Sequence, residues 1–121
     1  MIKQDWLMKQ IKALIDAIAI IIFRKAAITY EIQDEANHTV TDTFYLRINE
    51  LLDNGNINEA EDLLYETIVP NDMNHLLLAV DFYQRLNEIS DDELERCGFS
   101  RDEINDGLAE VMKIFGIGYL S

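Results

Sequence analysis

Between Leu51 and Glu66 the chain reads LLDNGNINEAEDLLYE, and this stretch restricts the fold more than any other. Two amphipathic, leucine-bearing runs flank a link too short for anything but a tight turn, so the runs are expected to be helices folded back on one another. Gly55 supplies the stop for the first. Asn58 is the expected cap of the second, whose first turn holds Glu59, Glu61 and Asp62, the acids a helix N-terminus favours. An antiparallel pair of this kind is the building unit of partner-binding helical repeats.

The same signals recur along the chain. Thr39 and Asp42 have capping-box spacing and Thr41 is a second candidate cap, so a helix is expected from about residue 42 to Asp53, with Phe44, Ile48, Leu51 and Leu52 inward. Ala60, Leu63, Leu64, Thr67 and Ile68 form the buried side of the next, which Pro70 ends. Asn71 or Asp72 opens a helix through MNHLLLAVDFYQRLNEI, in which Asp81 and Arg85 stand one turn apart as a stabilising pair. Ser90-Asp91-Asp92-Glu93 and Ser100-Arg101-Asp102-Glu103 are capping boxes for two more, stopping at Gly98 and Gly116. In the last of these, Ile104, Leu108, Val111, Met112 and Phe115 face inward, and Gly107 marks either a close helix crossing or a tolerated surface glycine. The expectation is an all-α protein of about six helices arranged as antiparallel hairpins. It forms a single domain over 1–121: a long N-terminal helix in 1–27, a connector over 28–40 with one helical turn at most, and a hairpin body over 41–121.

The first helix, from about Lys3 to Ala26, is amphipathic only at its start. Leu7, Ile11, Leu14, Ile15, Ile18 and Ile22 form a core face, and Asp5, Lys9, Lys12 and Asp16 form a polar row opposite. Continuing that row leads to Ala19, Ile20 and Phe23, so the second half is apolar all round and something must cover it. Three coverings are open: the later helices of the same chain, a second copy, and a membrane or another protein. Trp6 sits off the core row, where its indole either lies over a neighbouring helix or serves as an anchor.

Composition narrows the function classes. A net charge of −13 opposes non-specific nucleic-acid binding, which needs clustered Lys and Arg. Residues 1–28 carry Lys3, Lys9, Lys12, Arg24 and Lys25 against Asp5 and Asp16, so this is the one basic part of an acidic chain. Lone Cys97 has no internal partner, no cleavable signal opens the chain, and the uncharged run Ala17–Phe23 is far too short to span a bilayer. A cytoplasmic protein is expected, in which the sequon Asn37-His38-Thr39 arises by chance.

Chemical constellations are missing where an enzyme would need them. His38 and His75 are isolated, and Cys97 has no Cys or His at metal-ligand spacing. Asn54, Gly55, Ile57 and Glu61 match the second half of a calcium loop, but Leu52 offers no oxygen where a ligand belongs. There is no nucleophile elbow, phosphate-cradling glycine loop or two-His helix motif. No catalytic residue, metal ligand or cofactor is assigned.

Two resemblances follow from these residues. Phe44 to Pro70 resembles one tetratricopeptide repeat: an early aromatic, a Leu before the turn, Gly55 and Ile57 at it, Ala60 at the helix contact, Leu64 behind it and a closing Pro. It departs at Ile48, where such repeats carry a small residue, and no second copy follows at the usual period of about 34 residues. The whole chain also resembles a family of small bacterial proteins of unknown function from Gram-positive anaerobes, through MIKQDWLMKQI, LLDNGNINEAEDLLYE and DFYQRLNEISDDELERCGFSRDEI. That resemblance implies a tetratricopeptide-like helical fold and a bacterial cytoplasmic setting, and it carries over no catalytic residue.

The functional expectation is therefore a non-catalytic helical scaffold that binds another protein or a second copy of itself. The candidate surface is Trp6, Ile20 and Phe23, with the concave side of the second and fourth helices next. The alternatives are a peripheral membrane protein docking through the first helix and, more remotely, a small enzyme or ligand carrier.

Overall fold

A computed structural model describes the backbone of residues 2–121 and the side chains from Asp5 onward. Lys3, counted above among the basic side chains, lies outside the described ones. Six α-helices occur among the described residues, with no strand: α1 (Ile2–Ile18), α2 (Val40–Asp53), α3 (Ile57–Thr67), α4 (Met73–Asn87), α5 (Asp91–Arg96) and α6 (Arg101–Ile114). A π-helical turn, Ala19–Phe23, extends α1, and a 3-10 turn, Gly118–Leu120, closes the chain.

The caps explain most boundaries. The Thr39 hydroxyl accepts from the Asp42 N–H at 3.0 Å while the Asp42 carboxylate accepts from the Thr39 N–H at 2.9 Å, a complete capping box. Ser100 and Glu103 form a second, starting α6. At α5 only half of the device is built: Ser90 accepts from the Glu93 N–H, but the Glu93 carboxylate turns to Arg96. The expected Asn58 cap is corrected to Asn56, because Asn56 already ends the preceding turn. Its N–H bonds Leu51 O at 2.8 Å and the Gly55 N–H bonds Leu52 O at 3.0 Å, with Gly55 at φ +76°. This paired closure requires a left-handed residue, so α3 starts immediately afterwards, with Ile57 already buried.

α4 is the central element. It packs against α1, α2 and α6, while α1 also lies on α6, and α3 lies on α2. Leu76, Leu78, Ala79, Val80, Phe82, Tyr83 and Leu86 are all buried, so α4 leaves no broad open side for the surface expected between it and α2. Gly107 resolves to the close crossing: a Cβ built there would lie within 3.0 Å of the Tyr83 ring and hydroxyl.

The first helix ends earlier than its pattern predicts. It leaves helical form at Arg24, which takes a left-handed φ of 56°, and the Lys25 N–H closes back to Ala19 O at 3.0 Å. The reason lies downstream, where Ile28 and Tyr30 enter the core and the chain has to reverse to bring them there. The irregular segment over 24–39 contains a turn at Asp34–Asn37 and no helical turn. It is pinned by Gln84 Nε2 donating to Ile28 O at 2.8 Å and by the Tyr30 hydroxyl donating to Asp42 at 2.6 Å. Burial, reinforced by Asp42, pushes the Tyr30 hydroxyl far above its ordinary range, and the Tyr30 bond holds the Asp42 carboxyl below its own.

Candidate functional site

The core row Leu7, Ile11, Ile15 and Ile18 commits one side of α1 to α4 and α6. On the other side, Trp6, Gln10, Ala13 and Ala17 recur at i, i+4, i+7 and i+11, which a helix of about 3.6 residues per turn aligns into one stripe, and the π-helical turn after Ile18 carries the exposed Ile20 and Ile21 at its end. Trp6 is 60% exposed, Ile20 61% and Ile21 51%. The Trp6 indole is therefore not covered by a neighbouring helix.

Phe23 separates from the other two candidates. It is half-buried against the core, whereas Ile21 stands open beside Ile20. The π-helical turn explains the exchange: an extra residue per turn rotates everything after Ile18, turning Phe23 inward and Ile21 outward. The all-round apolar pattern signalled a surplus here but not which members would be covered.

The stripe has two unlike flanks. Along one, α1, α6 and the terminal turn border an open groove of about 390 Å³ lined by Gln10, Ala13, Leu14, Ala17, Asn105 and Leu120. Along the other runs the charged row Asp5, Lys9, Lys12 and Asp16, with Lys12 Nζ 3.0 Å from Asp16 Oδ2. Arg24 and Lys25 stand exposed just beyond Ile20 and Ile21. Apolar anchors beside a row of both charges suit recognition of another surface rather than bond chemistry.

Three polar clusters elsewhere hold helices together. Tyr83 donates to Glu61 at 2.6 Å and lies 3.1 Å from the Tyr65 hydroxyl, which donates to Gly107 O at 3.0 Å. Burial raises the Glu61 carboxyl, with the Tyr83 bond opposing, and burial drives the Tyr83 hydroxyl far above its ordinary range. Arg85, expected only to pair within α4, reaches further. Its Nε lies 3.2 Å from Asp81, its Nη1 donates to Asn49 on α2, and its guanidinium stacks over Tyr45 at 5.4 Å. Asp81 in turn accepts from the Tyr30 N–H at 3.3 Å, and burial raises its carboxyl against the opposing Arg85 charge.

The third cluster centres on Arg101, whose side chain is 2% exposed. It donates to Asn87 O at 2.7 Å, Ile89 O at 2.9 Å and Asp91 at 2.6 Å, gathering the end of α4 and the start of α5 onto α6. By sequence Arg101 is only a spacer inside a capping box, and nothing local distinguishes it.

The histidines and the cysteine have structural partners. His75 Nδ1 accepts from the Val69 N–H at 2.8 Å, which puts the ring proton on Nε2 and closes the α3–α4 link. His38 meets Glu35 on the irregular segment, and half-buried Cys97 ends α5 beside Gly55. Two partly enclosed hollows measure about 130 and 120 Å³, below the roughly 300 Å³ at which small-molecule pockets begin, and the hollows above that size lie open to solvent. Among the described residues, no helix is long and apolar enough to cross a membrane.

The model of a family of unknown function, DUF6483, matches residues 1–116, and the chain belongs to that family. No curated protein and no solved structure matches it.

Proposed function

We propose that this member of DUF6483 is a non-catalytic helical scaffold that binds protein through the outward stripe of α1. The observation carrying the reading is the exposure of Trp6, Ile20 and Ile21 on a helix whose opposite row is almost wholly buried. A large aromatic and two branched aliphatics held on a rigid element are the material of interface anchors, since their burial contributes most and their ordering costs least. The small volumes of the partly enclosed hollows fit a binding surface better than a reaction chamber.

The finer architecture belongs to the same reading. The turn closed at Gly55 and the complete burial of Ala60 support a tetratricopeptide-like antiparallel hairpin for α2 and α3. The remaining helices gather around α4 and do not repeat that unit. We read the setting as bacterial and cytoplasmic, in keeping with a solitary, half-buried Cys97 that has no partner for an internal disulfide.

Affinity capture from the organism that makes the protein tests the reading, comparing the natural chain with Trp6→Ser/Ile20→Ser. Both residues are exposed, so the variant keeps its circular dichroism and melting temperature. Loss of the captured protein supports a stripe-borne interface; capture indifferent to both changes refutes it. Arg24 and Lys25 beside exposed Ile20 and Ile21 favour a second reading, docking on an anionic membrane, for which vesicle flotation is the direct assay.

A further inference from the structure

We infer that the occupant of the α1 stripe is a second copy of this chain, its α1 lying antiparallel to the first about a two-fold axis beside Ala13. The inference rests on the interaction reading above and names its partner.

The stripe is matched to its own reversal. Turning α1 about Ala13 sets Trp6 opposite Ile20, Gln10 opposite Asp16, and Ala13 opposite itself. Large exposed residues stand at both ends, Trp6 at one and Ile20 with Ile21 at the other, and alanines occupy the middle. Two copies can then approach closely at Ala13 and Ala17 while each indole lies over the other copy's Ile20 and Ile21.

Charge selects the same arrangement independently. A two-fold normal to the helix pair brings each charged row against the reversed row of the other copy, on one side of the contact. The row runs acid, base, base, acid through Asp5, Lys9, Lys12 and Asp16. Reversed, Lys9 falls one residue from the other copy's Asp16 and Asp5 one turn from its Arg24, two attractive pairs that the two-fold doubles, against the single repulsive meeting of Lys12 with the other copy's Lys12 near the axis. At a net charge of −13, two copies repel through most of their surfaces, and the segment bearing α1 is the one basic part. The aligned stripe is about 21 Å long, with Leu120 and the exposed Tyr119 adjoining it. That extent lies at the small end of specific interfaces, so a weak, reversible dimer is expected.

Sedimentation velocity on the full chain across a concentration series tests this. A monomer–dimer equilibrium is expected. Ala13→Glu, which sets two carboxylates against each other at the axis, should weaken dimerisation at least about tenfold. Lys9→Asp should weaken it, and adding Asp16→Lys in the same chain should recover it, because both cross-pairs reform with reversed sign. A chain that stays monomeric to millimolar concentration overturns the inference, as does a dimer untouched by Ala13→Glu or a swap without recovery. Folding is checked by circular dichroism, and Ala13, being exposed, accepts Glu. A monomeric chain that still captures another protein through Trp6 and Ile20 would sink the second-copy inference and leave the interaction reading standing. If capture too is indifferent to those residues, both fall.

Discussion

Gly107→Ala is the sharpest test of how this fold is held. In an exposed helix interior the change would stabilise by about 1 kcal/mol, the difference in helix propensity. At this site the added methyl lies within 3.0 Å of Tyr83 Oη, Cζ and Cε1. Tyr83 cannot yield cheaply: it is fully buried, packs edge-on against Phe82 at 5.0 Å, and is tied to Glu61 and Tyr65. Overpacking of this kind costs about 1–3 kcal/mol. Moving the ring also weakens the bond to the Glu61 carboxylate, worth about 1.5–3 kcal/mol, and disturbs the Tyr65 bond to Gly107 O.

Set against the propensity gain, a net loss of about 2–4 kcal/mol is expected, read as a lowered urea midpoint with unchanged slope. Pairing the change with Tyr83→Leu forms a double-mutant cycle. The two losses should be strongly non-additive, since the leucine leaves room for the methyl. A Gly107→Ala protein as stable as the natural one, or more so, would show that α4 and α6 do not meet at the close crossing.

Three further outcomes can be checked on the same footing. Gly55→Ala should cost about 1–2 kcal/mol in urea denaturation, because the nearest atom, Cys97 Sγ at 3.5 Å, leaves space and the penalty is that of the left-handed backbone alone. Arg101→Met should cost about 3–5 kcal/mol by the same assay, and Arg101→Lys should not restore it, since one ammonium cannot serve Asn87 O, Ile89 O and Asp91 together. Glu61→Gln keeps an acceptor for Tyr83 and removes a carboxylate whose folded pKa lies above its ordinary 4.5. A raised folded pKa means stability present at low pH and lost as pH rises through it. The variant should therefore match the natural chain below about pH 4 and exceed it at pH 7; thermal melts showing the reverse order at pH 7 would refute the burial argument.

Signals exchanged between close neighbours in the chain are legible in the sequence itself. The boxes at Thr39–Asp42 and Ser100–Glu103 form as their spacing predicts, because each closes within one turn and needs nothing from elsewhere. Spacing misleads where a residue has competing partners. Glu93 takes Arg96 over its cap, and Asn56 displaces Asn58 because the turn at Gly55 has already fixed its position. Arg101 and Arg85 give no local sign of their long-range partners, since an arginine that gathers distant carbonyls is written like one that faces water.

The candidate surface shows the same division. That the second half of the first helix carries more apolar surface than one face can bury follows from its residue types, and Ile20 is open as that surplus requires. Which residues stay open follows instead from the phase set by the π-helical turn and from where Ile28 and Tyr30 must enter the core. Local rules thus fix how much apolar surface α1 has to spare, and tertiary closure fixes its direction. The stripe's reversed charge pattern needs both: a row written in sequence, and a fold that leaves it facing outward.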